Sequence, residues 1–306
     1  MTAASPSSTQ QNESVDQPSK LAEIIALCKP RVIELLITTA LPAMFLASRD
    51  YPEPLRIFGV LVGGTLAAGS SNAINSILEK DTDTQMNRTR NRPMAQNRLS
   101  LTFAWSIAIL SQILAFVIVS LTCNFIAGAF TLLASFVYVV IYTIWLKPRT
   151  DQNIVIGGAA GALPVIIGYS AVSGNVPWQA LVMFAIVFFW TPAHFWALAI
   201  FHEDDYRRGG FPMMPITHGR KKTSKAMLFY AIATAGTSFF LIFDRDLGLI
   251  FALTAVVLGA WFCAEAFVLA KKAEALHRGT FMRFFHISNG YLALLFIAIA
   301  IDAVVK

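Results

Sequence analysis

Residues 101–150 read LTFAWSIAILSQILAFVIVSLTCNFIAGAFTLLASFVYVVIYTIWLKPRT, and from Leu101 to Leu146 there is no Asp, Glu, Lys, Arg or His. The run divides at Cys123-Asn124 into apolar stretches at 101–121 and 125–146. At 1.5 Å per residue, each can cross a hydrocarbon core of about 30 Å as a helix. Working outward, the same unit recurs near 32–48, 55–78, 154–173, 178–201, 226–243, 247–270 and 287–305. The composition agrees: 56% of the 306 residues are hydrophobic and 14% charged, against about 25% charged in a soluble domain. This nearly excludes a soluble globular enzyme. The expected fold is all-α, a polytopic membrane protein with nine transmembrane helices.

The basic residues give the orientation. Nine spans place alternate loops on opposite sides, and 20 of the 24 Lys and Arg residues then fall with the N-terminal arm and the second, fourth, sixth and eighth loops. The other side holds Arg49, Arg56, Arg245 and Lys306. By the positive-inside rule the N-terminus is cytoplasmic. The excess of basic residues therefore reports topology, and no nucleic-acid partner is expected. Residues 1–20, rich in Ser, Thr, Gln and Pro, read as a disordered tail and carry neither an apolar signal core nor a transit pattern. The domain then runs over 21–306, opening with LAEIIALC at 21–28, too short to span and expected as an interfacial helix. Cys28, Cys123 and Cys263 are too scattered for a disulfide frame or zinc site.

The functional signal lies in two cytoplasmic loops. In NAINSILEKDTDTQMNRTRNRPM, Asn75, Glu79 and Asp83 recur every four residues, so a continuing helix carries them on one face, with Asn72 close behind. Asp81 points elsewhere unless the helix ends first. Arg88, Arg90, Arg92 and Arg98 follow. A solvated loop whose arginines only obey topology would carry similar charges. Asn72 and Asn75, however, fall within the span, where polar side chains face a bundle interior or a cavity. Clustered carboxylates repel unless a cation neutralises them. Oxygen donors of this kind suit Mg²⁺, which also takes substrate phosphate oxygens, and arginines can fork the same phosphate. The sixth loop repeats the design with Glu203, Asp204, Asp205, Arg207, Arg208 and Gly209-Gly210. Two such clusters on one side point to a metal-bridged diphosphate carrying a lipid tail.

His194 and His202 fall on roughly one side of the sixth span, with Asp205 eleven residues beyond His194, roughly 16 Å along a helix. Phe189, Trp190, Phe195 and Trp196 surround His194 in sequence. Either packing or a functional pocket accounts for this group.

The motifs KPRVIELL (29–36), Asn75 to Pro93 ending MNRTRNRP, YTIWLKPRTDQNIVIGGAAGALPVIIGY (142–169) and HFWALAIFHEDDYRRGGFPMMP (194–215) resemble the UbiA-type intramembrane prenyltransferase superfamily. Within it they resemble the members that farnesylate protohaem IX. The resemblance covers about Lys29 to Asp302. It implies nine helices around a central cavity open to lipid, capped by the two acidic loops. It also implies Mg²⁺-dependent transfer of the farnesyl group of farnesyl diphosphate to a vinyl group of haem B with addition of water, giving haem O. On the matching positions, Asn75, Asp83, Asp205 and His194 are the expected catalytic residues. Asn72, Arg88, Arg92, Lys147 and Arg207 are expected to bind substrate, and Glu79, Asp81, Asp83, Asp204 and Asp205 to hold metal. Ser76, Phe195 and His202 stand where quinone-forming relatives carry carboxylates, and Glu79 where Asp is more usual. The resemblance further implies a bacterial plasma-membrane (cell inner membrane) location with the site facing the cytoplasm, and partners in haem A synthesis or oxidase assembly. Two other readings remain: prenylation of a quinone precursor or chlorin, and a transporter using Glu34, Glu265 or Asp302 along a pathway.

Overall fold

A computed structural model describes residues 19–29 and 33–305, by backbone alone at Ile33 and Leu36. The expected tail therefore lies, up to residue 18, outside the described residues, as do Arg31 and Lys306 of the charge count. All regular structure among the described residues is helical. The chain runs α1 (Lys20–Cys28), α2 (Ile33–Ser48), α3 (Pro54–Leu78), the single turn α4 (Lys80–Asp83), α5 (Leu101–Thr122) and α6 (Phe125–Phe136). A π-helix (Val137–Leu146) continues α6. Then follow α7 (Asn153–Ser173), α8 (Trp178–Phe201), the short α9 (Glu203–Arg208), α10 (Met214–Phe239), a 3₁₀ turn (Phe240–Phe243), α11 (Leu249–Lys272) and α12 (Arg278–Val305).

Eight helices are long and apolar enough to cross a membrane. The 16-residue α2 is shorter, yet it runs from beside Lys29, which bonds Asn75, to Arg49, which pairs with Asp246 at the opposite end. Two helices begin well before the apolar runs that identify them. α10 starts at Met214 and α12 at Arg278, because their first turns are polar and project beyond the apolar layer, where hydropathy does not register them. α10 is also broken at Gly219, whose φ of 76° is left-handed.

α3, α5 and α6 pack on one side, α8, α10, α11 and α12 on the other, and α7 and α2 lie between. Burial follows this order: the apolar window of α7 is 72% buried, those of α5 and α6 only 22%. Without a hydrophobic force between helices in lipid, close contact depends on small residues. A Cβ on Gly168 of α7 would come within 2.3 Å of the Ala40 carbonyl oxygen on α2. A Cβ on Gly157 would strike the Tyr142 ring at 2.4 Å, so Gly157 seats the π-helix against α7.

The second, fourth, sixth and eighth loops meet at one end of the bundle. Asp205 accepts from the second loop, Asp151 pairs with His218, and Asp204 with Arg278. At the other end Arg56 donates to the carbonyls of Ala171 and Val172. There Asp302 of α12 also accepts from the Gly248 and Phe251 N–H groups at 2.8 and 2.7 Å, closing the start of α11. Asp302 thus has a structural use, satisfying amide groups that a helix start leaves open.

Candidate active site

The α3 face carrying Asn72, Asn75 and Glu79 meets the π-helix in three rungs. Tyr138 Oη lies 3.3 Å from Asn72 Oδ1, Asn75 Nδ2 donates to Thr143 Oγ1 at 3.2 Å, and Lys147 Nζ donates to Glu79 Oε1 at 2.5 Å. In an α-helix, positions five apart diverge by about 140°. The i→i+5 register of a π-helix stacks them instead. Lys147 N bonds Tyr142 O at 2.8 Å, and Thr143 Oγ1 bonds Tyr138 O at 2.9 Å. Tyr138, Thr143 and Lys147 therefore all reach α3, whereas the sequence reads 125–146 as one ordinary helix.

The helix continues almost unbroken through the acidic stretch, since Glu79 N bonds Asn75 O and Asp83 N bonds Glu79 O. Asn72, Asn75, Glu79 and Asp83 are all buried, and Asp81 is exposed on the far side of the turn. Each buried acid has a cation. Arg92 Nη1 meets both oxygens of Asp83 at 2.9 and 2.8 Å, and Lys147 pairs with Glu79. Lys147 also lies 4.4 Å from the Phe211 ring centroid, a cation–π contact. Lys29, not singled out from the sequence as a site residue, donates to Asn75 Oδ1 at 2.6 Å. Its signal was present in the KPR motif. Burial pulls both ammonium groups below the ordinary lysine pKa, with positive Arg92 acting in the same direction and Glu79 and Asp83 opposing.

The sixth loop joins this cluster through Asp205. Its two oxygens accept from the N–H groups of Asn87 and Arg88 at 3.2 Å each, and Arg208 pairs with it. Burial raises the Asp205 pKa, but Arg208 and the two amides outweigh this and hold it below the usual carboxylate value. Arg88 stands over Tyr206, 5.8 Å from its ring centroid. Burial raises the Tyr206 pKa and keeps its hydroxyl protonated. Asn87, Arg88, His202, Asp205 and Arg208 line a surface pocket of about 470 Å³.

The remaining members of the second cluster are engaged elsewhere, Asp204 and Arg207 at the exposed surface and Glu203 among arginines. Asp204 pairs with Arg278, and exposed Arg207 pairs with Glu203 at 3.0 Å. Glu203 also engages Arg220 and so ties α9 to α10. Arg208 rather than Arg207 reaches the pocket. Among the described residues no three His, Cys, Asp or Glu side chains converge as a ready metal site.

His194 stands apart in the packed half. Its ring lies between Trp190 and Phe285, at 4.1 and 4.2 Å between centroids. Of the four aromatic residues grouped around it in sequence, only Trp190, one helical turn away, stacks on it. Phe189 and Trp196 pack against Tyr230 instead. Across the interface Ser288 Oγ is 2.7 Å from His194 Nδ1 and donates its own proton to Phe285 O at 2.7 Å. When that proton goes to Phe285 O, the oxygen accepts from Nδ1–H and Nε2 carries the lone pair.

The chain is 44% identical over 285 residues to protoheme IX farnesyltransferase 1 of Saccharopolyspora erythraea, covering 93% of this chain and 91% of that one. Its fold matches that of a digeranylgeranylglyceryl phosphate synthase, with a TM-score of 0.77 at 16% identity over 93% and 98% of the two chains. It also matches a UbiA homologue from Archaeoglobus fulgidus bound to GPP and Mg²⁺, with a TM-score of 0.64 at 17% identity over 90% and 99%. Residues 36–289, most of the sequence, match one family description throughout, and the chain belongs to the UbiA prenyltransferase family.

Proposed function

We propose that this protein transfers the farnesyl group of farnesyl diphosphate to a vinyl group of haem B, with addition of water, to give haem O and diphosphate. The observation that carries this reading is a set of cations, three partly buried and Arg208 exposed at the edge, facing buried oxygen donors at one end of the bundle. Lys147, Arg92, Lys29 and Arg208 stand against Glu79, Asp83, Asn75 and Asp205. The 44% identity to a protoheme IX farnesyltransferase supports haem as the acceptor.

The donor set fits Mg²⁺: all of it is hard oxygen, and each member is balanced within the chain by a cation that an entering diphosphate can draw away. The residues that would hold the ion are Asn75, Glu79, Asp83 and Asp205. Exposed Asp81 and the Arg278-paired Asp204 leave the set. Bound there, Mg²⁺ supplies compensation for the charge that develops on the leaving diphosphate.

Lys147, Arg92, Arg88 and Lys29 bind and orient the diphosphate, which is electrostatic stabilisation by groups already in place. The C1–O bond of the farnesyl group breaks and its electron pair leaves with the diphosphate. The vinyl carbon of the porphyrin attacks the allylic cation, and water captures the resulting cation and releases a proton. His194 Nε2, held as an acceptor by Ser288, serves the acceptor side, as a ligand to haem iron or as the group that orders the water.

The site faces the cytoplasm of a bacterial plasma membrane, with α2 as the ninth crossing. This reading follows from the 20 basic residues assigned to that side.

The test is the mass of haem extracted from membranes with and without this protein. A gain of one farnesyl plus one water, abolished by EDTA and restored by Mg²⁺, is expected. A prenylated quinone with unaltered haem would overturn the assignment.

A further inference from the structure

On the acidic-loop end of the bundle, most basic side chains near the two loops are engaged within the chain, among them Arg92, Lys147, Arg208, Arg220 and Arg278. The lysines where α10 begins and α11 ends are different. Lys221, Lys222, Lys225, Lys271 and Lys272 are exposed, and among the described residues none forms an ion pair. Three of them, Lys221, Lys271 and Lys272, line one shallow pocket of about 190 Å³ between the two helices, with Glu274 as the one acid on its rim.

The surface directly below is apolar. Residues four apart on a helix share a face. Lys225 stands one turn from Phe229 (64% exposed), Lys271 one turn from Phe267 (53%), and Lys272 one turn from Val268 (45%). α10 and α11 meet closely enough that a Cβ on Gly259 would lie 3.3 Å from that of Ala235. The two helices therefore offer a continuous strip: lysines at the polar end, then lipid-facing aromatic and branched side chains.

We propose that the α10–α11 cleft is a binding site for an anionic phospholipid, with its phosphate between Lys221, Lys271 and Lys272 and its acyl chains along Phe229, Phe267 and Val268. Charge complementarity carries the assignment, since juxtamembrane lysines attract anionic headgroups. The apolar strip below fits an acyl chain, which a soluble phosphate lacks. The site is separate from the diphosphate-binding cations and stands whether or not haem is the acceptor.

The test is native mass spectrometry of the full chain in nanodiscs of equal parts phosphatidylglycerol and phosphatidylcholine, with photoreactive phosphatidylglycerol crosslinking in parallel. The wild type is expected to retain phosphatidylglycerol at least tenfold over phosphatidylcholine and to crosslink at Phe229 or Val268. Replacement of Lys221, Lys271 and Lys272 by Gln should remove this preference, at about fivefold per lysine. Lys20→Gln, elsewhere on the same end, should leave it unchanged. Should the triple variant fail to insert, Lys271→Gln and Lys272→Gln are measured singly by the same criterion. Equal retention of both lipids, an equal loss with Lys20→Gln, or full displacement of phosphatidylglycerol by millimolar pyrophosphate would each overturn the proposal.

Discussion

Ser288 on α12 lies 2.7 Å through its Oγ from Nδ1 of His194 on α8, one hydrogen bond across 94 residues of sequence. The serine hydroxyl is also placed to donate to Phe285 O, and when it does so the imidazole donates through Nδ1. A histidine fixed in this way presents Nε2 as a base or ligand, the arrangement that outer-sphere partners impose on metal-binding histidines.

His194→Ala should therefore weaken haem binding or the addition of water while leaving farnesyl diphosphate affinity nearly unchanged. Ser288→Ala should lower haem affinity by about 10–100-fold if Nε2 ligates iron. Spectrophotometric haem titration and separate binding of a farnesyl diphosphate analogue check both. Unchanged haem affinity and product in a stably inserted His194→Ala protein would return the ring to a packing role between Trp190 and Phe285.

Asp83→Ala should lower transfer by about 10²–10³-fold, because it removes an oxygen donor and leaves Arg92 unpaired. Asp205→Asn should also be damaging, since it weakens the tie to Arg208. Single-turnover transfer on protein shown to be folded and inserted decides the matter. A mild defect at Asp205 would confine the site to the first acidic loop.

Lys147 contributes as an ammonium ion, and burial lowers its pKa. The group is charged below that pKa and loses its proton as pH rises through it. The alkaline fall in kcat/KM for farnesyl diphosphate should therefore come below the ordinary lysine value of about 10.4. Lys147→Arg, which stays charged, should move that limb upward even with a lower maximal rate. A pH profile identical in both proteins would remove Lys147 from the titrating machinery.

Deleting Val140 should convert the wide helix to ordinary register and separate Tyr138, Thr143 and Lys147 from Asn72, Asn75 and Glu79. Thr143→Val, losing the bond from Asn75 and its own to Tyr138 O at about 1 kcal/mol each, should reduce activity by no more than about thirtyfold. The deletion should reduce it far more without preventing membrane insertion. Comparable activity in the two variants would show that register is unimportant.

With Cys28, Cys123 and Cys263 replaced, a single cysteine at exposed Gln85 should resist impermeant thiol reagents in intact cells and react after lysis. Labelling of intact cells would invert the orientation.

The sequence alone determined the membrane architecture, because lipid penalises unsatisfied backbone groups so strongly that apolar runs of helix length have few alternatives. It also placed Asn75, Glu79 and Asp83 on one face, since four-residue spacing does so whatever the helix packs against. Tertiary structure decided the partners. The π-register of Val137–Leu146 leaves no mark in hydropathy, yet it brings Thr143 to Asn75 and Lys147 to Glu79. Arg208 and Arg207 are adjacent and chemically identical, and only the path of α9 turns the first toward Asp205 and the second toward Glu203. Asp204 is read with Asp205 in sequence but goes to Arg278, 74 residues away. Periodicity fixes the face of one helix, whereas the contact between two helices depends on how both are placed.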